Sequence, residues 1–189
     1  MITISIDWLP TWCFRAKSAR VFLLHRCACP GLVPIFSITI VIEERWVMRA
    51  WQFERVGSPL VLAEVPPPRP AADEVLIDIK AAGLCHTDVG ILHEPKWSER
   101  IGPFPLTLGH ELAGVITEVG ADVTGYAVGD RVGVFPAGRT RPGISRDGGY
   151  SFQCTALPED LVPVPEGVTF EQAALGTDAG RAAYRAVVD

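Results

Sequence analysis

The sequence has no apolar run long enough to cross a bilayer, no cysteine framework, no basic stripe and no G-x-G-x-x-G turn. Each lack removes a class of function. A spanning helix needs about 20 apolar residues, and none occurs here. Five cysteines (Cys13, Cys27, Cys29, Cys85 and Cys154) are an odd number without framework spacing, and only two lie beyond Met48. That excludes a disulfide-stapled secreted domain and fits a reduced, cytoplasmic setting. Residues 48–189 carry 12 basic and 19 acidic groups, net −7, with no Lys/Arg cluster interleaved with aromatics. Neither phosphate neutralisation nor base stacking is then available, so nucleic acid is excluded and a small-molecule partner is expected.

What is present is the balance of a globular protein: 189 residues, 48% hydrophobic and 21% charged, enough for one domain with a small appendage. The charge is uneven, because residues 1–47 hold five basic and three acidic groups, net +2. Within them Arg15, Lys17 and Arg20 precede the apolar stretch Val21 to Leu24, and a second runs from Leu32 to Ile42. His25, Arg26 and Pro30 interrupt the pattern, so a signal peptide is not expected. At Met48 the character changes. Residues 1–47 are expected to be an extension outside the fold, with a mobile appendage as the alternative.

From Met48 onward the pattern is mainly β with short helices. Arg49 to Glu54 and Leu60 to Val65 read as strands, and Pro66 to Pro70 as a stiff connector. Val75, Ile77, Ile79 and Ala81 alternate with Leu76, Asp78 and Lys80, the period of a half-buried strand. Leu112 to Val119, Arg131 to Phe135, Gly149 to Thr155 and Leu161 to Val164 are further β-rich stretches, separated by glycine-rich turns. Short strands at this spacing predict a barrel. Helix is expected only in the last twenty residues, where Thr169 and Gln172 form a capping-box pattern and Ala179 to Val188 is alanine-rich.

A lone cysteine or histidine says little, but here each has a context. Cys85 lies in Gly83-Leu84-Cys85-His86-Thr87-Asp88, and His110 opens Gly109-His110-Glu111-Leu112-Ala113-Gly114, with Gly120 and Val123 beyond. Val119-Gly120-Ala121, Val128-Gly129-Asp130-Arg131-Val132 and Asp147-Gly148-Gly149-Tyr150 add to the pattern. Together these resemble the zinc-containing alcohol dehydrogenases of the medium-chain dehydrogenase/reductase family, nearly continuously from Met48 to Asp189.

The resemblance implies a GroES-like β-barrel catalytic domain, incomplete here, over 48–175, with 176–189 beginning the helix that leads to a nucleotide-binding domain not contained in the sequence. It implies one catalytic zinc. Zinc takes thiolate, imidazole and carboxylate in a tetrahedral shell with one position left for water or substrate. Cys85 and His110 match two ligand positions, and Asp178 stands where the family usually has a cysteine. Aspartate is also a preferred helix N-cap, which is the alternative reading of Asp178. Asp88 matches the residue that receives the other ring N–H of the ligating histidine, and Thr87 the hydroxyl that relays the alcohol proton. His86 matches a position that approaches the cofactor pyrophosphate, and Glu111 one behind the zinc. Read alone, Asp88 is a turn carboxylate and Glu111 a solvated one. Cys154 is expected in the core, as are Trp97 and Phe104, which are also candidate walls of a substrate pocket.

The sequence departs from the family in three places. The proton relay often continues to a histidine three residues after the hydroxyl, and that position is Gly90, which His93 does not obviously replace. No cysteine falls between Val134 and Asp147, where the family's structural-zinc lobe belongs, so no structural zinc is expected. The Rossmann turn for NAD or NADP is not among these residues. The expected function is therefore NAD(P)-linked alcohol/aldehyde or ketone interconversion with zinc, carried by a piece inactive alone. The alternative is a non-catalytic zinc-binding GroES-like module or an inactive gene product. A small alcohol or aldehyde is the expected substrate, with neither nucleic acid nor membrane as partner.

Overall fold

The computed structural model describes residues 14–23, 38–98, 101–102 and 104–188, with side chains from residue 46 onward. The chain divides into two compact units, 1–47 and 48–189. In the first, β1 (Phe14–Leu23) runs antiparallel to the opening residues of β2 (Ile38–Phe53), from Phe14 opposite Val47 to Leu23 opposite Ile38. Cys13, Cys27 and Cys29, and parts of the apolar stretches Val21 to Leu24 and Leu32 to Ile42, lie outside the described residues.

The second unit is mainly β. Residues 48–52 of β2 pair with β3 (Val61–Val65). Next come β4 (Val75–Gly83), α1 (His86–His93), α2 (Pro95–Ser98) and β5 (Leu106–Thr107), which pairs with β2 at Gln52 and Phe53. β6 (Glu111–Val119), β7 (Arg131–Val134), β8 (Gln153–Ala156) and β9 (Leu161–Pro163) join β4 in an antiparallel sheet of order β8-β4-β6-β7-β9. Residues 150–152 tie the two sheets together. The Trp51 N–H donates to the Tyr150 carbonyl at 2.8 Å and the Ile79 N–H to the Phe152 carbonyl at 2.8 Å. Among the described residues the sheets do not close into a full barrel.

The larger core is built by the strand period. Val75 and Ile77 of β4, Leu112 and Ile116 of β6, Val132 and Val134 of β7, and Cys154 and Ala156 of β8 are buried together. Each large apolar side chain removed from water in this way contributes about 1.5–3 kcal/mol. Cys154 is a core residue, and burial pushes its thiol up to about 12, so it is inert. A second cluster of Phe53, Ile91, Leu106 and Leu108 lies under α1, with Trp97 packed against it. Phe104 meets Phe53 edge to face at 5.3 Å and stays 43% exposed.

The register of β4 on β6 positions the site. Ile77 pairs with Ile116, a bulge at Lys80 inserts one extra residue, and Gly83 ends opposite Glu111. The end of one strand therefore lies beside the start of the next, and Cys85 and His110 leave the sheet at the same edge. Bulges shift the pairing by one residue and re-aim the side chains beyond them.

Two findings correct the sequence reading of helix. The first is α1 with α2, which lie well before the last twenty residues. Thr87, Val89 and Gly90 are weak helix formers, so propensity hid α1; Asp88 at its third position holds the Cys85 N–H at 3.0 Å and supplies the start. The second is the C-terminal helix. α3 (Phe170–Leu175) opens on the expected Thr169–Gln172 capping box. It then passes through a π turn, Gly176–Gly180, into α4 (Arg181–Val188). Asp178 sits inside that turn, so it is not a helix N-cap.

Candidate metal centre

Cys85, His110 and Asp178 come from three separate elements. Cys85 is the residue before α1, His110 the residue before β6, and Asp178 the middle of the π turn. Their ligand atoms all lie within 4.8 Å of one another. His110 Nε2 is 3.3 Å from Asp178 Oδ2, and Cys85 Sγ is 3.8 Å from the same oxygen. Cys85 and Asp178 are half-buried and His110 is fully buried.

The third element reaches the site through a close contact. Thr177 is buried, and its methyl packs where a side chain at Gly133 of β7 would stand. The wider π turn then aims the next side chain, Asp178, at His110. π turns inside α-helices frequently mark functional positions.

Behind the ligands stand two buried carboxylates, and neither is the surface group that a reading of the lone residue allowed. Asp88 Oδ1 faces His110 Nδ1 at 3.2 Å. A carboxylate can only accept, so Nδ1 carries its proton toward Asp88 and Nε2 is the nitrogen turned to Cys85 and Asp178. Burial alone would raise the Asp88 carboxyl, but the hydrogen bond and charge of His110, with the Cys85 N–H and the Tyr150 hydroxyl, hold it below its usual range. Burial would lower His110, yet Asp88 first and Cys85 next outweigh it and push the ring up to about 9. Glu111 opens β6 and accepts the Ala179 N–H at 3.3 Å. Burial and the nearby Asp178 charge raise its carboxyl, despite that N–H.

The remaining site residues from the sequence are on the first turn of α1. His86 is exposed and Thr87 half-buried beside Cys85; His86 is not one of the three converging donors. Gly90 is buried under Trp97, whose Nε1 lies 2.8 Å from where a Cβ would be. A side chain at position 90 would displace that indole. His93 is exposed at the end of α1.

Sequence reasoning gives Tyr150 no role, yet its hydroxyl donates to Asp88 Oδ2 at 2.8 Å. Only its place in Asp147-Gly148-Gly149-Tyr150 hints at it.

A soft thiolate, an imidazole and a carboxylate are zinc donors, and bonds of roughly 2.0–2.3 Å put tetrahedral ligand atoms about 3.3–3.8 Å apart. Two of the three donor pairs, at 3.3 and 3.8 Å, have that spacing, all three donor atoms lie within 4.8 Å, and Asp88 stands behind the histidine where an outer carboxylate could orient it. A mainly β fold that delivers such a site at the edge of its sheet is that of a GroES-like catalytic domain. The alcohol dehydrogenase GroES-like domain family matches residues 71–183, well over half of the chain, and the chain belongs to that family.

Its relatives are oxidoreductases. It is similar to an alcohol dehydrogenase of Geobacillus stearothermophilus, 36% identical over 159 residues, covering 74% of this chain and 47% of that protein. It is also similar to an L-threonine 3-dehydrogenase of Rhizobium etli, 32% identical over 161 residues, covering 75% and 46%. Among solved structures it resembles the cobalt- and zinc-bound thermostable alcohol dehydrogenase of Pyrobaculum aerophilum, with a TM-score of 0.62, 29% identity, and coverage of 76% and 50%. The chain spans about half the length of the curated relatives with the longer matches. Among the described residues no helix is long and apolar enough to cross a membrane.

Proposed function

We propose that this chain carries the metal site of a zinc-dependent alcohol dehydrogenase, acting on a small alcohol or aldehyde in a cytoplasmic setting, with Cys85, His110 and Asp178 holding one zinc. The observation that carries this is the convergence of three donor atoms from distant elements, with Asp88 behind His110. Zinc, when bound, supplies a Lewis acid at the substrate oxygen. The chain's own residues do the rest. Asp88 holds the Nδ1 proton and so keeps Nε2 directed at the site. Thr87, on the first turn of α1, is assigned as the hydroxyl that passes the alcohol proton outward, on the strength of its match to the family motif. His86, exposed on that turn, is assigned the contact with the cofactor's phosphates by the same motif match.

Metal binding and hydride transfer need different parts of the protein. These 189 residues contain no G-x-G-x-x-G turn of the kind that holds a dinucleotide's pyrophosphate. Holding the reactants in contact is worth about 7–11 kcal/mol of the barrier. The purified chain is expected to bind about one zinc and to show no alcohol-dependent absorbance at the reduced-nicotinamide band with NAD or NADP. Cys85→Ser should lose the zinc. Zinc retained in Cys85→Ser would sink the ligand assignment, and saturable turnover by the unaltered chain would sink the reading that these residues are inactive by themselves.

A further inference from the structure

We infer that Tyr150 is a positioning residue of the metal centre, acting through Asp88 on both Cys85 and His110. This rests on the zinc reading above and adds to it a part that the ligands alone do not reveal.

Asp88 is 1% exposed, so its orientation is set by protein groups alone. Its Oδ1 faces His110 Nδ1, and its Oδ2 receives the Cys85 N–H at 3.0 Å and the Tyr150 hydroxyl at 2.8 Å. A phenol has one proton to give. The Gly83 carbonyl is its other neighbour at 3.2 Å, and the shorter contact with an ionised oxygen is the stronger bond. Two donors on Oδ2 fix the rotation of the carboxylate and leave Oδ1 aimed at the ligand histidine.

The tyrosine is itself held firmly. Its N–H donates to the Leu108 carbonyl at 2.9 Å and its carbonyl accepts from Trp51 at 2.8 Å. Its ring lies against Gly109, where a Cβ would come within 2.6 Å of Cδ1. Gly109 has φ +92°, a conformation that favours glycine, and it immediately precedes His110. One side chain thus touches the chain two residues before Cys85, the carboxylate behind His110, and the residue before His110.

Removing only the hydroxyl should loosen Asp88 without emptying the ring's place. Outer groups around metal ligands are worth about 10–100-fold in affinity, and one step further out we expect roughly 3- to 10-fold. The full chain and its Tyr150→Phe variant are titrated with zinc against a chromophoric chelator and with cobalt(II), whose visible bands report ligand geometry. The expected result is zinc bound roughly 3- to 10-fold more weakly, with shifted cobalt bands and metal-free melting nearly unchanged. Equal affinity and identical cobalt spectra overturn the proposal, as does lowered melting with unchanged affinity, which would mark Tyr150 as packing only. A second measurement needs no variant. With ring-labelled tyrosine in the unaltered protein, zinc should move the Tyr150 resonance and leave Tyr126 and Tyr184 in place; no movement of Tyr150 overturns the proposal even where Tyr150→Phe does not fold. An unaltered chain that binds no zinc overturns the metal site and the positioning role together, whereas normal zinc binding in both proteins overturns the positioning role alone.

Discussion

Gly83 is a residue at which the site leaves no free space for a side chain. Its missing side chain lets the Glu111 carboxylate lie against the end of β4, and a methyl there would overlap that carboxylate. Glu111 in turn holds the Ala179 N–H, one residue beyond Asp178. Overpacking of this kind costs about 1–3 kcal/mol. Gly83→Ala is expected to lower stability by that amount in denaturant melts and to weaken zinc in chelator competition, because the displaced glutamate releases the turn that carries Asp178. If both values stay at those of the unaltered chain, Glu111 has room to swing away. At this scale Cys85, His110 and Asp88 were legible in the sequence because they sit in short, specific motifs, whereas Asp178, the third converging donor, stands in none and is read only from its place in the chain. Tyr150 was not legible, since its hydroxyl reaches Asp88 from 62 residues away and nothing local marks that contact.

The element that delivers Asp178 is held at several points, and they can be separated. Thr169 caps α3, accepting the Gln172 N–H at 3.3 Å while its own N–H meets the Gln172 side chain at 3.0 Å. Losing such a cap costs about 0.5–2 kcal/mol. The π turn beyond it is anchored independently, by Thr177 against Gly133 and by Ala179 on Glu111. Thr169→Ala is therefore expected to lower the melting temperature while zinc affinity stays within about twofold, the change being confined to the cap. A parallel loss of zinc would show that helix start and π turn move as one body. The capping box was readable because it is a local four-residue pattern. The π turn was not, because Gly176 and Gly180 read as ordinary punctuation and only packing on β7 decides the wider turn. The bulge at Lys80 was hidden for a similar reason, since strand alternation continues through Ile79 and Ala81 in the sequence while the register changes in the sheet.

For the whole molecule, the boundary at Met48 carries the remaining test. A change from net +2 before it to net −7 after it, with a new strand pattern, suggests two parts. The buried members of both core clusters lie between Phe53 and Leu161. The converging donors and their outer partners lie between Gly83 and Ala179. A chain begun at Met48 keeps all of them, and it also keeps the pairing of residues 48–52 with β3. Folding free energy comes mainly from burial within a core, and metal affinity from the donors and the groups that orient them. Both sources are intact in the shorter chain. The Met48-start chain is expected to express in soluble form, to hold the same zinc per molecule as the full chain, and to melt within a few degrees of it. Comparison of metal content and thermal melts on the two proteins checks this. A Met48-start chain that precipitates, or that folds without zinc, would show that residues 1–47 supply something the acidic unit needs, and the reading of them as an extension would fall.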